Sequence, residues 1–353
     1  MKNWDVIVIG GGIIGLSLAI ELRKQAATVL LVERGEPGRE ASHAAGGMLV
    51  DCPAETPSAL QSLASASASI YPEFVYELQA ESQKKIDLRN QGTILFPSAE
   101  HASHPALREA PLPALLSELE PALAVSDRPA FFLKERSVDP RDLVAAAWEA
   151  TKRRGVDFSS GDEVTAVNIS DSRVAGVSTI KTSFLAPKVV NCAGAWSGKI
   201  GPHPLPTRPV KGQMLCMVMQ PHDLVEHVVR SPEIYLIPRS DGRLLVGTTV
   251  EEAGFDKRTD ADTIQRFHRT AMALVPQLRN ARILESWAGL RPGTPDGLPI
   301  LGATEISGYY VATGHYRDGI LLAPITAKIM AGVVTGAKCE YDLRPFSATR
   351  FST

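Results

Sequence analysis

The sequence VIVIGGGIIG at residues 6–15 carries most of the information about the fold. Its first four residues are β-branched and predict a short buried strand, and a stretch with helical spacing follows at 16–25. Gly10, Gly12 and Gly15 occupy the G-x-G-x-x-G positions, which permit a tight turn, close approach of a pyrophosphate and close packing of helix on strand. The positive end of the helix attracts phosphate charge. The sequence therefore predicts a dinucleotide-binding βαβ unit.

A second predicted strand at 28–32 ends at Glu33, which strengthens this interpretation. The spacing is close to that of the acid that accepts hydrogen bonds from the adenosine ribose hydroxyls in such units. A carboxylate there also disfavours a 2′-phosphate, and hence NADP. A glycine-rich turn without a ligand is the alternative, and the combination of strand, glycines, helix, strand and acid disfavours it.

The composition excludes several classes of function. The chain has 353 residues, of which 44% are hydrophobic, and its 37 basic and 39 acidic residues give a formal net charge of -2. This balance disfavours a nucleic-acid partner. The uncharged segment at 6–20 is too short to span a membrane and is interrupted by glycines, so we expect a cytoplasmic protein without a membrane partner. The four cysteines lack the spacing of a zinc site, which predicts free thiols and no metal.

The order of predicted elements indicates an α/β fold with two interleaved domains. The segment 188–197 is a buried strand running into a glycine turn, typical of the dinucleotide-binding domain. The segments 214–219, 234–237 and 244–249 instead predict strands of an antiparallel sheet. We expect a Rossmann-like domain and a discontinuous antiparallel-sheet substrate domain, with ligands at their interface. The predicted boundaries are 1–50, 136–205 and 291–353 for the first domain, and 51–135 and 206–290 for the second.

Two C-terminal motifs, AGLRPGT at 288–294 and GHYRDGILLAP at 314–324, narrow the choice of protein family. Together with the N-terminal motif, the loop of small residues at 35–48 and the strand and turn at 189–197, they resemble FAD-dependent amino-acid oxidases of the D-amino-acid-oxidase superfamily. Within it the chain is most similar to the glycine oxidases of bacterial thiamine-thiazole biosynthesis, over nearly its whole length. No cysteine lies within 314–324, so the resemblance implies non-covalent FAD.

The resemblance also implies the residues of the substrate site. A guanidinium can bind a planar carboxylate through two hydrogen bonds, and the arginine of the family motif, here Arg291, binds the substrate carboxylate. Tyr235 aligns with a tyrosine near the same carboxylate, and Arg317 contributes to the substrate or flavin side. A structural salt bridge at Arg291 and simple packing of Tyr235 are the alternatives. The residues expected to contact FAD are Gly10, Gly12, Ile13, Ile14, Gly15, Glu33, Arg34, Ala41, Ser42, Gly46, Gly47, Met48, Val164, His315, Tyr316, Arg317, Asp318, Gly319, Ile320 and Leu321.

The reaction implied is oxidation of glycine, or a similar small amino acid or amine, by dioxygen to glyoxylate or another 2-oxo acid, ammonia and hydrogen peroxide. A small D-amino-acid or sarcosine-type dehydrogenase with another electron acceptor is an alternative. An FAD-dependent tRNA-modifying enzyme is a third hypothesis, which the balanced charge disfavours. The oligomeric state stays open, a homo-oligomer included.

Two residues depart from the family pattern. Glu233 stands where a glycine oxidase has histidine, which puts the charge of the pocket and the substrate range in doubt. Asp318 stands where asparagine is usual. A carboxylate there would oppose an anionic reduced flavin unless Arg317 or another cation offsets it.

Overall fold

The computed structural model describes residues 3–124, 128–202 and 204–351, and two large sheets organise them. The strands, in chain order, are β1 (Val6–Ile9), β2 (Val29–Glu33), β3 (Met48–Leu49), β4 (Leu88–Arg89), β5 (Thr93–Leu95), β6 (Phe131–Leu133), β7 (Arg136–Val138), β8 (Asp157–Ser160), β9 (Val164–Ser170), β10 (Arg173–Thr179), β11 (Ser183–Leu185), β12 (Val189–Asn191), β13 (Arg208–Val218), β14 (Val228–Arg230), β15 (Tyr235–Pro238), β16 (Arg243–Gly247), β17 (Arg282–Gly293), β18 (Ile300–Ala303) and β19 (Tyr309–Thr313). The α-helices are α1 (Ile13–Lys24), α2 (Ala41–Ala44), α3 (Gln61–Ser82), α4 (Pro105–Arg108), α5 (Leu116–Leu119), α6 (Pro140–Arg153), α7 (Ala261–Leu274) and α8 (Gly319–Thr335).

The first sheet has the strand order β18-β19-β12-β1-β2-β8. Its strands are parallel except for β18, which runs antiparallel to β19. Alternate residues of β1 enter different cores, Val6 and Val8 on one face and Ile7 and Ile9 on the other. Because both faces are covered, the strand needs apolar residues at every position, as its sequence has. The predicted Rossmann-like sheet is confirmed.

Different elements cover the two faces of this sheet. Helices α1, α3, α6 and α8 contribute to the core on the face of Val6 and Val8. A small antiparallel sheet, β11-β10-β9, contributes to the core on the other face. A Cβ on Gly15 would lie 2.0 Å from the carbonyl oxygen of Gly10, so a glycine is required for α1 to lie this close to the turn after β1.

The second sheet has the strand order β17-β13-β16-β15-β14-β5-β6. Neighbouring strands are antiparallel except β14 and β5, which pair in parallel, so the predicted antiparallel sheet is confirmed. Helix α7 packs on it through the fully buried Phe267 and Ala271. The twelve-residue strand β17, which pairs with β13 along its length, was not predicted as a strand. Residues 282–286 of β17 are exposed and show no alternation that would have indicated it.

The division into domains stays a prediction, since its exact boundaries also take in residues outside the described ranges. One element within the predicted substrate domain packs elsewhere. Helix α3 lies in the range 51–135, yet its buried residues Leu63, Tyr71 and Leu78 belong to the core shared with α1 and α8. The Tyr71 hydroxyl also donates a hydrogen bond to the carbonyl of Ile320 on α8, at 3.1 Å. Physically, α3 therefore belongs with the first sheet.

None of the helices in the described part of the chain combines the length and apolar character needed to cross a membrane.

Candidate active site

Residues from both sheets line a cavity of about 860 Å³. Its walls include the turn between β1 and α1, the segment after β2, the C-terminal end of β17 and the turn between β19 and α8. The cavity brings together the predicted substrate residues Arg291, Tyr235 and Arg317. It also brings together the predicted cofactor residues Gly10, Gly12, Ile13, Ile14, Glu33, Arg34, Ala41, Ser42, Gly46, Gly47, Met48, Val164, His315, Tyr316, Asp318, Gly319 and Ile320.

Two predicted residues are not among those that line the cavity. Gly15 lies beneath the turn, where it packs against Gly10. Leu321 is 1% exposed and belongs to the core that α8 shares with the first sheet. Gly15 and Leu321 therefore pack behind the residues that line the cavity.

Glu33 fixes the backbone at one end of the cavity. Its Oε2 accepts a hydrogen bond from the Gly11 N–H at 2.7 Å, and its Oε1 accepts one from the Gly35 N–H at 2.9 Å. A carboxylate has about four lone-pair positions, so it keeps capacity for further donors such as hydroxyls. Ser42 caps the adjacent helix, because its hydroxyl accepts from the Ile13 N–H at 3.0 Å.

The segment Gly46–Met48 passes through a narrow space beside the cavity. Gly47 has φ +75°, and a Cβ on it would lie 2.0 Å from the Val138 carbonyl oxygen, so glycine is required there. The guanidinium of Arg239, a residue 1% exposed, donates through Nη2 to the Gly46 carbonyl at 2.6 Å. Sequence reasoning missed Arg239, because a charged residue at the end of a strand gives no signal of burial.

Arg291 lies near the end of β17, and neutral groups hold its guanidinium. Nη1 donates to the Thr249 carbonyl at 3.1 Å and Nη2 donates to the Thr248 hydroxyl at 2.9 Å. Among the described residues, no carboxylate lies within ion-pair distance of it. A Cβ on Gly212 of β13 would lie 2.3 Å from Nη1, so the missing side chain there makes room for the guanidinium.

Burial lowers the pKa of Arg291, and the positive charge of Arg317 lowers it further. Arg317 donates from Nη2 to the Tyr235 hydroxyl at 2.8 Å. The site therefore places two cations and a hydroxyl together, and one of the cations, Arg291, is partly buried with no carboxylate of the described residues within ion-pair distance. Since a buried charge is costly unless it is paired, this arrangement favours an anionic ligand.

Asp318 directly precedes helix α8 and lines the cavity, but its side chain makes no capping hydrogen bond. Burial raises the pKa of Asp318 to about 6, against the opposing effect of Arg317. At neutral pH most of this carboxyl is therefore still ionised. Arg317 is the neighbouring cation that offsets its charge.

His315 and Cys192 line the same cavity in neutral form. Burial lowers the pKa of His315 to about 3, and its Nε2 lies 3.1 Å from the Thr326 hydroxyl of α8. Burial also raises the pKa of the Cys192 thiol, which keeps the thiolate scarce and the group a poor nucleophile. Neither residue supplies a charge to the site at neutral pH.

Glu233, the other departure from the family pattern, is not among the residues lining the cavity. Its carboxylate pairs with Arg128 at 3.1 Å, and both side chains are about half exposed. The sequence left the effect of Glu233 on the charge of the pocket open, and its position outside the cavity lining disfavours such an effect.

Several residues that build the site carried no signal in the sequence. Thr248, Thr249 and Gly212 meet Arg291 only because β17, β13 and the end of β16 are neighbours in the second sheet. Trp196 and Lys199 line the cavity from the short helix that follows β12. Strand register, which the sequence did not reveal, brings the first three residues together, and the short helix carries the other two.

Comparison with known proteins gives consistent results. A family model described as "FAD dependent oxidoreductase" matches residues 5–333. A glycine oxidase of Geobacillus kaustophilus is 34% identical over 368 residues, covering 99% of this chain and 97% of that protein. The crystal structure of glycine oxidase from the same species has a TM-score of 0.94 at 33% identity, with both chains fully covered. The bifunctional protein ThiO/ThiG of Trichormus variabilis is 35% identical over 369 residues, and this chain spans 55% of its length.

Proposed function

We propose, given that this chain belongs to the FAD dependent oxidoreductase family, that it oxidises a small amino acid, with glycine as its substrate. The carbon–nitrogen bond loses two electrons and two protons to become an imine, and water then releases glyoxylate and ammonia. Dioxygen takes up the two electrons and two protons as hydrogen peroxide. We further propose a role in thiamine-thiazole biosynthesis, which the likeness to ThiO/ThiG supports.

FAD is the cofactor of this family, and the cavity fits a ligand of that size and chemistry. Its volume of about 860 Å³ lies at the upper end of the range for ligand pockets. We propose that the turn at Gly10–Gly12 and Glu33 hold the dinucleotide half, and that Gly46–Met48 and residues 315–320 hold the ring. When bound, FAD supplies the two-electron acceptor for the oxidation.

The observation that carries the proposal is the uncompensated charge of Arg291. The neutral acceptors Thr248 and Thr249 orient the guanidinium without neutralising it. An incoming carboxylate can therefore form a bidentate ion pair, and the low dielectric of the cavity strengthens this interaction. The ion pair would also fix the orientation of the substrate carbon next to the carboxylate.

Tyr235 and Arg317 complete the recognition of the substrate. In the hydrogen bond between them, the Tyr235 hydroxyl oxygen accepts from the Arg317 guanidinium. The O–H of the same hydroxyl is therefore free to donate. We propose that this hydroxyl donates to the substrate carboxylate while Arg317 adds a second positive charge. The two cations also disfavour a protonated amine, so the substrate amine binds in its neutral form.

The test is to purify the protein with its flavin and measure peroxide and ammonia with glycine, sarcosine, D-alanine and methylamine. We expect glycine to react fastest and methylamine, which lacks the carboxylate, to react slowest. An artificial dye in place of dioxygen measures the alternative, a dehydrogenase with another electron acceptor. Dye reduction without peroxide would show that dioxygen is not the electron acceptor and would favour the dehydrogenase. No reaction with any amino acid would refute the proposal.

A second candidate function follows from another relative. The hydrogen cyanide synthase subunit HcnC of Pseudomonas protegens is 30% identical over 407 residues, covering 100% of this chain. Cyanide should therefore be measured in the same reactions. Formation of cyanide in place of glyoxylate would favour this candidate over glycine oxidation.

A further inference from the structure

We infer that the tip of the loop between β16 and α7, residues 253–258, is a latch that closes the dinucleotide end of the cavity and limits the rate of FAD release. Two sets of contacts join this loop, which leaves the second sheet, to residues of the cavity wall. One set is aromatic and the other is ionic, and both converge on Arg34. This inference concerns the cofactor and does not depend on which amine is oxidised.

The aromatic contacts form a continuous stack. The guanidinium carbon of Arg34 lies 3.6 Å from the ring centroid of Trp196. The rings of Trp196 and Phe255 have centroids 5.1 Å apart and are tilted by 37°. The Nζ of Lys199 lies 3.9 Å from the centroid of Phe255. Phe255 of the loop is therefore enclosed between two residues of one short helix.

Phe255 covers the wall rather than forming its inner surface. Arg34, Trp196 and Lys199 line the cavity, whereas Phe255 does not and is 38% exposed. An aromatic ring with this exposure gains stability mainly by covering its neighbours. Its ring thus fixes Trp196 and Lys199, and through Trp196 it fixes Arg34.

The ionic contacts tie the same loop to the same arginine. Lys257 places its Nζ 3.1 Å from Oε2 of Glu40. The other oxygen of Glu40 accepts a hydrogen bond from Nη2 of Arg34 at 2.7 Å. All three side chains are partly exposed, so this tie is weaker than the stack and is sensitive to salt.

The base of the loop is fixed, which confines movement to its tip. Glu251 and Lys211 of β13 exchange two backbone hydrogen bonds, at 2.9 and 3.0 Å. Beyond them, residues 252–260 form no helix or strand. Segments of this kind open locally at lower free energy than the sheets and α1 that form the other walls.

The position of Arg34 gives the latch its function. Arg34 directly follows Glu33, the acid at the end of β2 that in dinucleotide-binding units meets the ribose. The residues that the loop holds in place therefore border the half of FAD that carries the adenosine. Release of that half requires the contacts of Phe255 and Lys257 to break.

The experiment measures FAD release from the holoenzyme, by the rise in free-flavin fluorescence after dilution. We expect Phe255→Ala to release FAD about tenfold faster, which corresponds to about 1.4 kcal/mol. Lys257→Ala should release it about threefold faster at low salt, and this effect should disappear in 1 M salt. Phe255→Tyr should behave like the parent, and kcat with saturating FAD should be unchanged in all variants.

Arg258→Ala is the matched control, because it removes a cation from the same loop whose partner, Asp256, lies within the loop. We expect its release rate to equal that of the parent. A release rate for Phe255→Ala within twofold of the parent would overturn the inference. Equal acceleration by Arg258→Ala and Lys257→Ala would also overturn it, because the loop charge and not the contact with Glu40 would then be responsible. Failure of the amine assays would leave these rates measurable.

Discussion

Replacing Arg291 tests the electrostatic argument most directly. Arg291→Ala removes both hydrogen bonds that a bidentate pair would form with the substrate carboxylate. A hydrogen bond to a charged group contributes about 1.5–3 kcal/mol, so the pair contributes about 3–6 kcal/mol. The expected loss in kcat/KM for glycine is therefore about 10² to 10⁴-fold. Arg291→Lys keeps the charge but loses the planar fork, and we expect a loss of about 10 to 10²-fold.

The assay compares glycine with methylamine, which lacks a carboxylate. The parent should prefer glycine strongly, and Arg291→Ala should lose most of that preference because its effect on methylamine is small. Arg282→Ala is the matched control, since Arg282 is an exposed arginine on the same strand. If Arg291→Ala kept kcat/KM for glycine within threefold of the parent, the carboxylate-binding role would be refuted.

Although Arg291→Ala should reduce activity, we do not expect it to reduce the stability of the protein. Burial lowers the pKa of Arg291, which means that its charged form is less favourable in the folded protein than in water. Removing it should therefore leave the Tm of the substrate-free enzyme unchanged or raise it. A fall of more than about 5 °C would indicate a structural role instead, as expected for a buried arginine with a carboxylate partner.

Three further predictions concern other residues. Burial raises the pKa of Asp318 to about 6, so its carboxyl becomes charged as the pH rises through that value. Asp318→Asn should therefore raise the flavin reduction potential on the order of 30 mV at pH 8, but not at pH 5. Equal shifts at both pH values would contradict this prediction. Glu233→Gln removes an exposed ion pair outside the cavity, so kcat/KM for glycine should change less than about twofold, and a tenfold change would place Glu233 in the pocket. Gly15→Ala should abolish FAD binding because its Cβ would lie 2.0 Å from the Gly10 carbonyl oxygen. Gly35→Ala is the control and should be tolerated, because the atom nearest to its Cβ would be 3.8 Å away. The flavin content and the melting temperature of each variant test these two predictions.

Much of the first sheet could be predicted because its information is local. The apolar run at 6–9, the three glycines and Glu33 lie within one βαβ unit, and each has a separate physical reason. The packing of α3 could not be predicted in this way. Its Ala-rich and Ser-rich sequence is compatible with close packing on any neighbour, and only the tertiary structure places it against α8.

The candidate site shows the same limit. Arg291, Tyr235 and Arg317 were predicted from the resemblance to a family and not from their local patterns. The groups that orient Arg291, namely Thr248 and Thr249, lie about forty residues away in the sequence and meet it through strand pairing. For Glu233 the sequence left the effect on the pocket open. The structure pairs its carboxylate with Arg128, and both side chains are about half exposed.

The contrast between the buried Arg230 and the partly buried Arg291 gives the strongest argument for where the substrate carboxylate binds. Arg230 is 3% exposed, and its guanidinium is neutralised by Glu55 at 2.6 Å and Glu135 at 3.0 Å. Arg291 is partly buried, and neutral oxygens of two threonines hold it. A cation buried for structural reasons needs a carboxylate to offset its desolvation. Because the protein places carboxylates within ion-pair distance of Arg230 and none of the described residues does so for Arg291, we propose that the substrate brings the negative charge that pairs with Arg291.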